Sequence, residues 1–297
     1  TWEAEFAAYH AIPQFELVNP DMTLAEFKTI YWWEWSHRQL GRLIGAVWAI
    51  GFLWFLARRR IPSGWTPRLL ALGALGGLQG AIGWWMVSSG LTGRMVAVAS
   101  HRLAVHLGLA FAILGLIAWW TMRLRRPEAD LLQARRQRNQ GLMAWGAALA
   151  CVAFAQILLG ALVAGIDAGR SFPEWPLMAG AVLPPGAFEL TPQWRNFTEN
   201  AGLVQFNHRL LGYILAAVGL FAWLRSRRSA LDDIRGAFDA MTLMLVAQIG
   251  LGVVTVLYGA PWQVAIVHQL GAVALFVLIL RARFAALYPR PQRIARG

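Results

Sequence analysis

The chain has 297 residues, of which 58% are hydrophobic and only 14% are charged, well below the roughly 25% of charged residues in soluble domains. Its net charge is +12, but the basic residues lie in short breaks between apolar runs, which is typical of membrane topology rather than of a nucleic-acid surface. The single cysteine, Cys151, excludes an intrachain disulfide and a cysteine metal cluster.

The first 33 residues combine aromatic and acidic side chains. Trp2, Phe6, Tyr9 and Phe15 lie among glutamates, a composition that suits an amphipathic helix on a membrane surface. We therefore interpret residues 1–33 as an outer amphipathic segment.

Long uncharged runs follow, and a membrane-spanning helix needs about 20 apolar residues. The run 240–280 is long enough for two spans, and Gly259, Ala260 and Pro261 interrupt it. We predict an all-α, polytopic membrane helical bundle with spans at 34–57, 69–90, 99–122, 143–164, 205–224, 240–259 and 263–283.

Arginine-rich breaks follow the first, third, fifth and last predicted spans. The positive-inside rule makes these breaks and the C-terminus cytoplasmic. Residues 1–33, 91–98 and 165–204 are then outside. The last of these segments contains Trp175, Trp194 and several prolines, so we expect it to form an ordered outer cap.

Three segments recur in the same order in the two halves of the chain, which indicates an internal repeat. The matches are EWSHRQLGRLIG at 34–45 with QFNHRLLGYILA at 205–216, QGAIGWWMVSSG at 79–90 with QIGLGVVTVLYG at 248–259, and AVHLGLA at 104–110 with IVHQLGA at 266–272.

The repeat predicts two pseudo-symmetric four-helix units. The N-terminal unit, 34–138, has three spans, and the C-terminal unit, 139–297, has four. The repeat equivalent of the span 143–164 falls before residue 1. We therefore expect the complete protein to have eight spans, with the first helix of the N-terminal unit missing from this sequence.

Within the predicted spans, the repeat pairs His37 with His208 and His106 with His268. Each unit thus has two histidines at similar depth, where a bundle core can hold a cofactor. Neutral imidazole is an axial ligand of haem iron, whereas zinc needs three or four ligands. Two haem sites are favoured, although any one histidine could instead bond a neighbouring carbonyl.

Glu34 lies three residues before His37, on nearly the same helix face. It is the only acid within the predicted spans, and its repeat equivalent is Gln205. The difference indicates two roles: the first site would transfer protons, and the second would be a bis-histidine site for electron transfer or structure. The alternative for Glu34 is a polar residue at the membrane interface.

Four arginines lie near the outer ends of the predicted helices: Arg38, Arg42, Arg102 and Arg209. Their planar guanidinium groups suit haem propionates, but snorkelling to lipid headgroups explains them equally well. His101 has no repeat partner, and we interpret it as an interface histidine. Three glutamines that precede a glycine by four residues, Gln79, Gln156 and Gln248, indicate close helix packing.

Long motifs make the chain similar to the haem A synthase family. They are EFKTIYWWEWSHRQLGRLIG at 26–45, HRLAVHLGLA at 101–110, SFPEWPLMAG at 171–180 and QFNHRLLGY at 205–213. The outer segments lack the cysteine pair of some members, so the chain resembles the proteobacterial and mitochondrial branch.

The resemblance implies eight helices in two halves and an oxidoreductase that oxidises a ring methyl of haem O, in two steps, to the formyl group of haem A. It implies a substrate site at His37 and His106, an acid needed for activity at Glu34, and haem B between His208 and His268. The implied partners are haem O, an unidentified electron donor, haem O synthase and terminal oxidase assembly, at a bacterial inner membrane.

Two other classes are weighed against this one. A dihaem b-type cytochrome that carries electrons from quinol commonly has two histidines on each of two helices, whereas here each histidine has its own helix. A transporter or assembly scaffold would leave the histidines without haem, and its purified form would show no Soret band.

Overall fold

The computed structural model describes residues 1–90 and 99–290, excluding the side chains of residues 89 and 90. The predicted outer segment 91–98 lies outside these residues, as do Arg293 and Arg296 of the C-terminus. Regular structure in the described part is helical. The α-helices are α1 Trp2–His10, α2 Pro13–Val18, α3 Leu24–Ala57, α4 Thr66–Gly90, α5 Ser100–Leu124, α6 Glu128–Arg136, α7 Gln140–Gly165, α8 Asn196–Glu199, α9 Ala201–Ser226, α10 Asp232–Leu257 and α11 Trp262–Leu287.

Seven of the described helices are long and apolar enough to cross a membrane: α3, α4, α5, α7, α9, α10 and α11. The predicted polytopic α-helical bundle is confirmed, and the chain is a multi-pass membrane protein. Most helices extend several residues beyond the predicted spans, because hydropathy marks the apolar middle of a helix and polar residues form its ends. α10, for example, begins at Asp232 with two aspartates in its first turn, where the helix dipole favours negative charge.

α3 begins ten residues before its predicted span. Thr23 and Glu26 form a capping box, with the Thr23 amide donating to Glu26 Oε2 at 2.8 Å and the Glu26 amide donating to Thr23 Oγ1 at 3.4 Å. This local cap satisfies the first free amides of the helix. The segment 1–33 is therefore two short helices followed by the first turns of α3.

The chain forms two compact units, the first being Thr1–Leu109. In it, Phe6 and Tyr9 of α1 contact the buried ring of Phe27 on α3, and Phe15 of α2 contacts Phe6 and Tyr9. α3 packs on α4, where the Trp48 indole donates to the Leu69 carbonyl at 3.2 Å. Gly73 faces that indole, and a side chain there would collide with it.

The second compact unit is Ala110–Gly297. Around its core α7 packs on α9, α9 on α10, α10 on α11, and α11 on α7. α9 and α11 are therefore diagonal neighbours across a four-helix bundle. The compact units divide the chain within α5, whereas the repeat divides it after residue 138, and the repeat-based domain division stays a prediction.

The connection between α7 and α9, residues 166–200, is ordered by polar contacts. Asn196 is fully buried and bonds both backbone groups of Leu190, accepting from its amide at 3.0 Å and donating to its carbonyl at 2.9 Å. Asn200 donates to the Gly186 carbonyl at 2.7 Å and caps α9 through the Leu203 amide. The side-chain amides of Asn196 and Asn200 thus provide hydrogen-bond partners for backbone groups that lie outside regular secondary structure.

Close packing of α7 against α11 gives the first prediction. A Cβ added at Gly146 would lie 2.7 Å from Arg283 Cβ and 3.0 Å from its Cα, so Gly146→Ala must push the two helices apart. We expect a loss of about 1–3 kcal/mol, measured as a lower thermal unfolding midpoint in detergent. Gly236→Ala, with nothing within 4 Å of the added atom, is the control. An unchanged midpoint for Gly146→Ala would contradict this packing.

Candidate functional site

In the first compact unit, His37 on α3 and His106 on α5 form a pair. Their ring centres are 6.5 Å apart, with 70° between the ring planes. Imidazole nitrogens bind metals at about 2 Å, so two axial ligands of one iron have ring centres roughly 6 Å apart. The observed separation fits a single metal between the two rings. His37 is exposed and His106 is half-buried.

In the second compact unit, His208 on α9 and His268 on α11 occupy the diagonal positions of the bundle. The Nδ1 atom of each is buried and has no hydrogen-bond partner. An unpaired buried polar atom is costly, and a metal ligand is one of the roles that explain it.

Each of three histidines is supported by a glutamine on a neighbouring helix. The glutamine Nε2 donates to the backbone carbonyl of the histidine in three cases: Gln79 to His106 at 3.0 Å, Gln156 to His208 at 2.9 Å, and Gln248 to His268 at 2.7 Å. The sequence interpretation of these glutamines as packing residues therefore missed their contacts, although the recurring spacing to glycine was the signal that could have found them.

A glycine four residues after each glutamine makes room for the imidazole. An added Cβ would lie close to the histidine Cε1 atom in each case: 2.8 Å from His106 at Gly83, 3.2 Å from His208 at Gly160, and 3.1 Å from His268 at Gly252. Real Cβ atoms rarely approach so closely, so each glycine forms a notch that a side chain would fill.

Glu34 and Arg38, both predicted site residues, form an ion pair one helical turn apart. The pair is about half exposed, with 51% of the Glu34 and 55% of the Arg38 side chain accessible. Glu34 is therefore held by a cation near His37.

The equivalent residues on α9 make different contacts. Gln205 Nε2 and Arg209 Nη2 both donate to the Phe172 carbonyl, at 3.2 and 2.8 Å, and Arg209 Nη1 donates to the Leu177 carbonyl at 3.3 Å. Gln205 is buried. An amide at position 205 thus binds the connection 166–200 to the helix that carries His208. A carboxylate, which only accepts hydrogen bonds, cannot donate to that carbonyl.

Two other predicted arginines contact side chains outside the histidine pairs. Arg42 Nη1 donates to Gln39 Oε1 at 3.2 Å, and the Arg102 guanidinium lies 5.2 Å from the centre of the Trp85 ring. The assignment of Arg38, Arg42, Arg102 and Arg209 to haem propionates stays a prediction. His101 is exposed on α5, and it is not part of the pair formed by His37 and His106.

The arrangement fits haem better than a zinc ion. In residues 1–90 and 99–290, no group of three or more His, Cys, Asp or Glu side chains could hold a metal ion, whereas zinc needs three or four protein ligands. Two imidazoles suffice for haem iron. The ring separation, the unpaired Nδ1 atoms and the glycine notches all agree with that cofactor.

Comparison with known proteins identifies the relatives of this chain. Residues 1–280 match the COX15-CtaA family, described as cytochrome oxidase assembly protein. The chain belongs to this family. Heme A synthase from Dinoroseobacter shibae is 64% identical over 97% of this chain and 75% of the relative. The Paracoccus denitrificans enzyme of the same name is 62% identical over 97% of this chain and 76% of that protein.

The heme A synthase of Cereibacter sphaeroides is 61% identical over the whole chain and 78% of its own length. The resemblance drawn from the four sequence motifs is therefore confirmed. In this COX15-CtaA protein the motifs coincide with much of the described site: they contain His37, His106 and His208, together with Glu34, Gln205 and Phe172, whereas His268 lies outside them.

The two contacts to the Phe172 carbonyl generate the second prediction. In Gln205→Glu the new carboxylate would repel the Phe172 carbonyl and attract Arg209 as Glu34 attracts Arg38. We expect faster amide hydrogen exchange in residues 171–180 of this family member. Gln263→Glu, at an exposed position of α11, should leave exchange unchanged. Equal exchange in both variants and the parent would contradict the proposed contact.

Proposed function

We propose that this protein is a haem A synthase, an oxidoreductase that converts a ring methyl of haem O, through successive oxidations, into the formyl group of haem A for terminal oxidases. Family membership and about 60% identity to named heme A synthases support the activity. The observation that carries the proposal is the His37–His106 pair, spaced for one iron, with Glu34 one turn from His37.

His37 and His106 are the proposed ligands of the substrate iron. The α3 surface beside His37 is exposed and apolar, including Leu40, Leu43 and Ile44. Such a surface suits the long isoprenoid tail of haem O, which can remain among lipid chains while the ring system enters the site. The imidazoles fix the substrate by its iron, so that one ring methyl is held in a constant position.

His208 and His268 are the proposed ligands of haem B. When bound there, haem B supplies the reversible electron transfer that side chains cannot provide. This site differs from the first in charge, because the neutral Gln205 stands where the first site has the acidic Glu34. With an amide there, no carboxylate from this position lies beside His208, which suits electron transfer without proton transfer.

Glu34 is the proposed proton acceptor. Oxidation of a methyl group releases protons, and a positioned carboxylate accepts them. Arg38 holds the carboxylate in place through the ion pair, and the partial exposure of both groups provides a route for protons to leave. A role in dehydrating a hydrated aldehyde would use the same residue.

The setting follows from the family and from the charge pattern. We place the protein in the bacterial inner membrane with its C-terminus in the cytoplasm, since the arginine-rich breaks favour that side. Its proposed partners are haem O, haem O synthase, an unidentified electron donor and the assembly of terminal oxidases. Each of the four histidines has its own helix, which favours the enzyme over a dihaem electron carrier.

The role of Glu34 gives the third prediction. Glu34→Gln keeps the size of the side chain and removes the proton acceptor, so we expect haem binding to persist and haem A formation to fall by about 100-fold or more. Pigment extraction from cells that also make haem O measures this. Glu199→Gln breaks a similar ion pair, Arg195–Glu199, and should have no effect. Normal haem A production by Glu34→Gln would remove Glu34 from the mechanism.

The ligand assignment gives the fourth prediction. His208→Ala should lose the resident haem B, since one imidazole cannot form the bis-histidine site. The measurement is the haem-to-protein ratio of the purified protein, together with its reduced spectrum. His101→Ala, an exposed histidine outside the pairs, is the matched control. A full complement of low-spin haem in His208→Ala would contradict the assignment.

A further inference from the structure

Three glutamine–glycine pairs recur beside three of the four histidines. Within each pair the residues are four apart, so both lie on one helix face. The pairs lie on α4 for His106, on α7 for His208 and on α10 for His268. Each glutamine bonds the histidine backbone, and each glycine faces the ring of the same histidine.

We propose that Gln79, Gln156 and Gln248, with the glycines that follow them, are positioning residues that set the rotation of the haem-ligating imidazoles. This inference rests on the proposed haem sites and adds residues that orient their ligands. In each pair the amide holds the backbone of the ligand residue, and the glycine fixes where the ring edge can lie.

The amide is a costly group to bury in a membrane span unless it is bonded. Gln248 is only 9% exposed, and its Nε2 makes the shortest of the three bonds, 2.7 Å to the His268 carbonyl. The acceptor is the carbonyl of the ligand residue itself. The bond therefore fixes the height and rotation of α11 relative to α10 at the level of His268.

In two of the three pairs the glutamine side chain also lies beside the ring. Gln79 Nε2 is 3.2 Å from His106 Nδ1 and 3.3 Å from Nε2, and Gln156 Nε2 is 3.3 Å from His208 Nε2. With the amide on one side and the glycine notch at Cε1, few ring orientations remain. Groups that orient metal-ligating histidines in this way typically change metal affinity by about 10–100-fold when removed.

The notch is specific to one position on each helix. Gly80 on α4 and Gly250 on α10 have nothing within 4 Å of an added Cβ, although Gly83 and Gly252 lie only a few residues later. A methyl group added at Gly83 or Gly252 would therefore meet the imidazole, whereas one added at Gly80 or Gly250 would not.

The test uses the full chain, purified with its haem, and places the substitutions at the C-terminal site. Gln248→Leu and Gly252→Ala are compared with Gln269→Leu, an exposed position next to His268, and Gly250→Ala. We expect the first two to bind haem B about tenfold more weakly and to shift the low-spin electron paramagnetic resonance signal, which reports the orientation of the imidazole planes. The two controls should keep the parent signal.

The resonance signal separates positioning from stability, because a loss of fold alone would lower the haem content without moving the signal of the haem that remains. Parent-like haem content and signal in both Gln248→Leu and Gly252→Ala would overturn the inference and leave the haem sites intact. A parent protein without haem would overturn the ligand assignment, and this inference with it.

Discussion

The hydrogen bond from a glutamine amide to the carbonyl of a transmembrane histidine is the interaction on which the candidate site depends. Lipid offers no partners for polar groups, so a glutamine within a span must find its partner in the protein. Gln156 on α7 bonds the His208 carbonyl, and Gln248 on α10 bonds the His268 carbonyl. The packing order leaves α9 and α11, which carry these two histidines, on a diagonal of the bundle.

The difference between an acid and an amide at equivalent positions of the repeat distinguishes the two sites. Position 34 is glutamate and position 205 is glutamine. The arginine one helical turn later has a different partner in each case. Arg38 pairs with the acid, whereas Arg209 joins the amide in binding the Phe172 carbonyl. One helical framework thus supports a site with an ionisable group and a site closed by a polypeptide connection, because an amide donates hydrogen bonds and a carboxylate does not.

Much of this was predictable from the sequence, and the failures have physical causes. Apolar runs located the seven spans of the described residues, although the first and fifth begin with polar residues. The repeat matched each histidine of one unit with a histidine of the other. Helix ends were placed poorly, since the Thr23–Glu26 capping box and the aspartates of α10 are polar and escape a hydropathy search. The partner of Gln205 is the backbone carbonyl of Phe172, which carries no sequence signal, whereas the recurring spacing from glutamine to glycine was the signal available for Gln248.

Arg209 follows His208 directly in the chain, and its guanidinium donates hydrogen bonds to the carbonyls of Phe172 and Leu177 in the connection before α9. The imidazole and the guanidinium are therefore mechanically linked through one stretch of helix. A rotation of α9 about its own axis that reorients the imidazole must also stretch or break the two hydrogen bonds from Arg209 to the connection. Cleavage of the connection would thus change the orientation of the His208 ring, without any change in the residues that surround the ring.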